Sequence, residues 1–165
     1  MTEQNQPIRI RAHTLVCLQG YQGEGYSEDF VNEMDRVTAT LKNDPDRAVQ
    51  IVIGADNFCH VCPHHYKGRC TADDPPGQKI LMEAPDKMIL MDKRVLTWLG
   101  ITDGQILKWR EIVQLIGESI DSSSMDYLCQ DCSWRAYPFC STALDALHAK
   151  VSSGEPVFDE EKIQP

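Results

Sequence analysis

Six of the seven cysteines in this 165-residue chain fall into two triplets of identical spacing. Cys59, Cys62 and Cys70 make one C-x2-C-x7-C run, and Cys129, Cys132 and Cys140 make the other. One C-x2-C pair is a weak signal. Two pairs, each with a third cysteine at a shared offset, point to ligation, because packing alone does not require repeated spacing. The x2 spacing lets two thiolates reach one centre while backbone N–H groups turn toward the sulfurs and offset their charge. Thiolate is soft and selects zinc, Cu(I) or iron–sulfur clusters over hard cations. Zinc sites usually complete four ligands with a second C-x2-C pair, which neither triplet has. Iron–sulfur runs combine C-x2-C with a more distant ligand and set proline after a ligand cysteine, as in Cys62-Pro63. Trp134, Tyr137, Pro138 and Phe139 would give the second triplet a dry wall, which influences potential. The donor set predicts one or two iron–sulfur clusters, of [4Fe–4S] type, with zinc as the alternative. The bland reading is that the thiols are small buried hydrophobes.

Each triplet needs a fourth ligand to close. Cys17 is the one spare cysteine. It reads either as a ligand, placed beside Cys59 and Cys62 if their strands are parallel neighbours, or as a core residue of Leu15-Val16-Cys17-Leu18. His13, four residues earlier, reads as a ligand, as a donor to a cluster sulfur, or as a satisfied part-buried histidine. His60, His64 and His65 lie inside the first segment as further candidate donors, at least two of them reading as exposed on a polar loop, and His148 reads as part of a solvated helix face. A triplet left unclosed would leave one iron open to substrate. Three functions follow: electron transfer or support of a reductive enzyme, a zinc-stabilised binding module, and an open-site [4Fe–4S] enzyme.

Other signals carry less. Gly20-x-x-Gly23-x-Gly25 has neither the phosphate-loop nor the Rossmann order. Asp73-Asp74 reads as solvated charge, and Asp159-Glu160-Glu161 as part of a disordered acidic tail. Trp98 and Trp109 read as core.

The elements that must position these residues are legible in part. Ile8 to His13 alternates apolar and polar like a strand, and Val49 to Ile53 is a β-branched run ending at Gly54. Between them Ser27 caps a helix with Glu28 and Asp29 in its first turn and the stripe Phe30, Met34, Val37, Leu41. Tyr26 and Val31 are placed for a hydrophobic staple, and Asp44-Pro45 ends the helix. Strand, helix and strand make a candidate βαβ unit with a parallel pair. Thr71 to Gly77 reads as a turn-rich hinge, and Lys79 to Met91, broken by Pro85, has no assignment. Asp92 reads as the cap of a short helix to Leu99, closed by Gly100. Thr102-x-x-Gln105 has capping-box spacing and predicts a helix to about Ile120 with Ile106, Trp109, Ile112, Val113 and Ile116 on one side. Ser122 to Ser124 reads as a linker, and Pro138 to Lys150 as the last helix. The expected fold is α+β: one domain over 1–165, with a βαβ-like part at 8–72 carrying the first triplet, a mainly helical part at 78–150 carrying the second, and a flexible tail at 152–165.

Composition bounds the role. At 42% hydrophobic residues the chain can bury a core, and its formal charge of −9 disfavours nucleic acid. The first twelve residues lack a signal-peptide apolar region, and no stretch approaches the ~20 apolar residues of a membrane helix. A cytoplasmic location is expected, where cysteine frameworks more often serve metal or redox chemistry than disulfides. A redox partner protein is the expected partner.

The string from Arg11 to Ser27, Arg-Ala-His-Thr-Leu-Val-Cys-Leu-Gln-Gly-Tyr-Gln-Gly-Glu-Gly-Tyr-Ser, resembles a specific signature. It is similar to that of the domain-of-unknown-function family numbered 1284, small cysteine-rich bacterial and archaeal proteins with R-A-H-x-L-x-C-L-Q-G, then G-x-G-Y-S, C-x2-C-P and a later C-x2-C. The resemblance spans about residues 8 to 145 and implies an iron–sulfur site, with no activity attached. It marks His13, Cys17, Cys59, Cys62, Cys70, Cys129, Cys132 and Cys140. Thr14 stands where a second histidine is common in the family, which argues against a His-His pair.

Overall fold

The computed structural model describes residues 6–72, 86–130, 132, 134–161 and 163. Strand β1 (Ile8–Arg11) turns directly into helix α1 (Ala12–Cys17). The expected strand to His13 therefore stops two residues early. The reason lies in burial: Ala12, Leu15 and Val16 are all buried, and their i, i+3, i+4 spacing serves a helix and not a strand.

Helix α2 (Glu28–Asn43) forms as its sequence predicts. The Ser27 hydroxyl accepts the Phe30 N–H at 3.2 Å, and Phe30, Met34, Val37 and Leu41 are its buried face. Strand β2 (Ala48–Val52) then pairs parallel with β1, with Ile8 opposite Val49 and Ile10 opposite Ile51. The βαβ unit is thus present, and the fold is α+β.

Two elements differ from expectation in the helical part. Helix α3 (Lys87–Leu99) is capped by Asp86, which accepts the Met88 N–H at 2.9 Å, and closed by Gly100 at φ +65°. Asp92 lies inside this helix, fully buried. The Gln105 side chain does reach back to the Thr102 N–H at 3.0 Å, but the turn feeds strand β5 (Ile106–Lys108), antiparallel to β2. Pairing on that free edge satisfies backbone groups that a helix start would leave open. Ile106 is consequently 52% exposed and not on the buried face. Helix α4 (Trp109–Ser119) starts later, with Glu111 accepting the Lys108 N–H at 2.8 Å. Its face of Trp109, Ile112, Val113 and Ile116 is buried as expected.

Ser122–Ser124 is a single 3-10 turn leading into helix α5 (Met125–Leu128), and helix α6 (Phe139–Ser152) packs against α4. The final segment is docked: Val157 and Phe158 lie against the core, and Glu160 pairs with Arg110 at 2.6 Å. Of the expected hinge, residues 73–77 lie outside the described residues, as do 79–85 and the first five positions.

Candidate metal centres

The second triplet meets Cys17. Cys129 ends α5, Cys132 follows, Cys140 sits in the first turn of α6, and Cys17 ends α1. All four line one small cavity of about 40 Å³ with Met34, Met125, Trp134 and Phe139. Gly20 makes the approach possible. A Cβ there would stand 2.6 Å from the Cys140 Cα and 2.9 Å from its N, so only glycine lets the turn after α1 lie on the start of α6. Burial pushes the Cys17 thiol far up, and Cys129, Cys132 and Cys140 push it further. Burial, then Cys132 and Cys140, raise Cys129 to about 12. Thiols that oppose one another's ionisation in a dry pocket suit a cation, which deprotonates thiols it coordinates.

The sequence leaves Cys17 either beside Cys59 and Cys62 or in the core, and the structure sets it with the other triplet. The helical turn of α1 is the cause, since it carries residue 17 away from the end of β1 and the loop after it onto α6.

The first triplet is built on a turn and a hairpin. Cys59 lies in the 3-10 turn Phe58–Val61. Buried Asp56 anchors that turn: its Oδ1 accepts the N–H groups of Phe58 and Cys59 at 3.0 and 3.2 Å, and its Oδ2 accepts the Arg11 N–H at 2.9 Å. Strands β3 (His65–Tyr66) and β4 (Arg69–Cys70) form a hairpin through Lys67 and Gly68, at φ +48° and +79°. Two positive φ values are the requirement of the tight turn that matches strand twist. The hairpin returns Cys70 toward Cys62. Burial raises the Cys62 thiol against the backbone amides of His64 and His65, which face its sulfur and favour thiolate. The Ala72 amide does the same for Cys70. Burial and then Asp56 hold Cys59 up at about 12. The Arg11 guanidinium acts downward on all three thiols.

Arg11 is itself held by Asp92, the residue expected to cap α3. The buried Asp92 carboxylate accepts Arg11 Nε–H and Nη2–H at 3.0 and 2.7 Å, the His13 and Gly54 amides at 3.1 Å each, and His13 Nδ1–H at 2.7 Å. Burial opposes the charge, but hydrogen bonds and charge from His13 and Arg11 hold Asp92 below the usual carboxylate range. The carboxylate can only accept, so Nδ1 carries the proton of this bond. His13 borders a cavity of about 330 Å³ with Cys17, Tyr26, Cys129, Cys132 and Trp134. A carboxylate-oriented imidazole beside thiols is the outer-shell pattern of metal sites. Asp92 had a legible signal: it falls on the α3 face with Val95, Leu96 and Leu99, where a charge needs a buried partner.

Tyr26 stands between the two groups. Its ring lies 4.6 Å from His64 of the first segment and 4.8 Å from Trp134 of the second. Burial raises its hydroxyl, followed by Cys70, Cys132, Cys17 and Cys62, which come from both groups. The remaining histidines divide. His60 is exposed, His64 meets Tyr26, and His65 lies opposite Cys70 in the hairpin. His148 is half-buried, with Nδ1 2.8 Å from the Gly117 carbonyl.

Among the described residues, no three His, Cys, Asp or Glu side chains come together so as to hold a single ion.

The match with the family described as protein of unknown function (DUF1284) covers residues 25–138. The chain belongs to the DUF1284 family. The DUF1284 match takes in Cys59, Cys62, Cys70, Cys129 and Cys132, while His13, Cys17 and Cys140 lie outside it. No curated protein and no solved structure matches the chain. No helix among the described residues is long and apolar enough to cross a membrane.

Proposed function

We propose that this chain is an iron–sulfur protein with two neighbouring centres, serving electron transfer or supporting a reductive enzyme in the reducing cytoplasm. The observation that carries the reading is the convergence of Cys17, Cys129, Cys132 and Cys140, from three separate segments, on one apolar cavity. The donors fit the group. They are soft thiols, and backbone amides face the sulfurs of Cys62 and Cys70. Cys17, Cys129, Cys132 and Cys140 would hold the second centre, and Cys59, Cys62 and Cys70 the first. A bound cluster would supply reversible one-electron chemistry, and the protein would tune it through amide hydrogen bonds and a dry wall. The partner would be a redox protein, not nucleic acid, given the net charge of −9.

Assigning Cys17 to the second centre leaves the first with three cysteines, which keeps the open-site enzyme in view as a second reading. The test is iron, sulfide and zinc content after anaerobic purification. Brown protein with iron and acid-labile sulfide in similar amounts is expected. Colourless protein with stoichiometric zinc and no sulfide would replace this reading with a zinc-stabilised binding module.

A further inference from the structure

The hairpin that carries Cys70 also carries a histidine. His65 opens β3 and is the direct cross-strand partner of Cys70. Opposite residues on paired strands project to one face with Cβ atoms roughly 4.5–5.5 Å apart, so the His65 ring and the Cys70 sulfur share a side. The His65 amide faces the Cys62 sulfur, and it also donates to the Cys62 carbonyl at 3.1 Å. His65 is thereby tied to two of the three thiols. Its Nε2 is sealed from solvent and has no hydrogen-bond partner. Leaving such an atom unpaired is unfavourable, and a bound ion is one explanation for it.

The other donors are placed differently. His60 is exposed, the His64 ring meets Tyr26 edge-on at 4.6 Å, His13 borders a cavity with Cys17, Cys129 and Cys132, and Cys17 joins the second triplet. We propose that His65, through Nε2, is the fourth ligand of the first centre, which then has three thiolates and one imidazole beside an all-thiolate second centre. This rests on reading both triplets as metal centres. Neutral imidazole in place of thiolate raises a cluster's potential, so the two centres would differ in potential although their cysteine spacing is identical.

The test uses the full chain, purified anaerobically, as wild type, His65→Ala, His65→Cys and His64→Ala. Metal content is measured in each, and pulsed electron paramagnetic resonance on the dithionite-reduced samples reads nitrogen coupled to the cluster spin. Wild type should show imidazole nitrogen coupling. His65→Cys should keep full metal content and lose that coupling. His65→Ala should lose about half the metal, and His64→Ala should match wild type. Full metal in His65→Ala, or nitrogen coupling that survives His65→Cys, overturns the assignment. If His65→Ala does not fold, His65→Cys decides alone. Zinc in place of iron leaves the metal-loss comparison intact, whereas wild-type protein free of any metal would remove the two-centre reading and this assignment together.

Discussion

Asp92 shows what one buried carboxylate can organise. It accepts from the guanidinium of Arg11, the ring and amide of His13 and the amide of Gly54, and so fixes the chain at the ends of β1 and β2. Arg11 is 4% exposed, and removing its partner would leave a buried charge uncompensated. Asp92→Asn should therefore cost about 3–5 kcal/mol, measured by urea denaturation of metal-loaded protein. A loss under about 1 kcal/mol, the range of surface ion pairs, would show Arg11 to be solvated. Cys17 poses a different question at the same scale. Cys17→Ala removes little volume from the 40 Å³ cavity lining but deletes one of four thiols. Metal content should fall by about half, with the spectrum of the first centre kept. Full metal content in Cys17→Ala would make Cys17 a core residue. Loss confined to the first centre would restore its expected place beside Cys59.

At the scale of elements, the proposed second centre would depend on how closely α1 approaches α6. Gly20 is the contact point, and its added Cβ would meet backbone atoms of Cys140 at 2.6 and 2.9 Å. Backbone cannot swing aside as a side chain can, so Gly20→Ala must push the elements apart. A destabilisation of about 1–3 kcal/mol is expected from overpacking, together with weaker metal retention under chelator challenge. Gly104→Ala is the control. Its Cβ would meet nothing within 4 Å, so it should cost only the roughly 1–2 kcal/mol of a left-handed backbone and leave metal retention unchanged. Equal metal loss in both variants would mean the close approach is incidental. The hairpin β3–β4 would play the matching part for the proposed first centre, with Lys67 and Gly68 making the turn that brings Cys70 back.

At the scale of the whole molecule, the proposed centres would join segments far apart in the chain. Residues 17, 129, 132 and 140 line one cavity, and Tyr26 packs between this cysteine group and the first. Metal ligands from distant segments contribute their binding energy to folding. Chelation or exposure to oxygen should lower the melting temperature by several degrees, followed by circular dichroism, and loosen both cysteine segments. An apo form with unchanged melting would make the metal peripheral to the fold.

The local features of this chain were legible from residue order alone. Ser27 capping α2, the stripe from Phe30 to Leu41 and the parallel β1–β2 pair rest on neighbours within a few turns, or on β-branched runs with few ways to pair. The repeated cysteine spacing likewise singled out the soft donors on which the proposed metal binding rests. Long-range partners were not legible. Which triplet Cys17 joins depends on α1 turning off the sheet and on Gly20 lying against Cys140. Asp92 reads as a cap until Arg11 and His13 are seen to close on it across about 80 residues of chain. Gln105 makes its predicted bond to Thr102, yet the open edge of β2 draws the next residues into a strand. In each case a buried or unpaired polar group takes its partner from whatever the packed chain brings within reach, and that supply exists only in three dimensions.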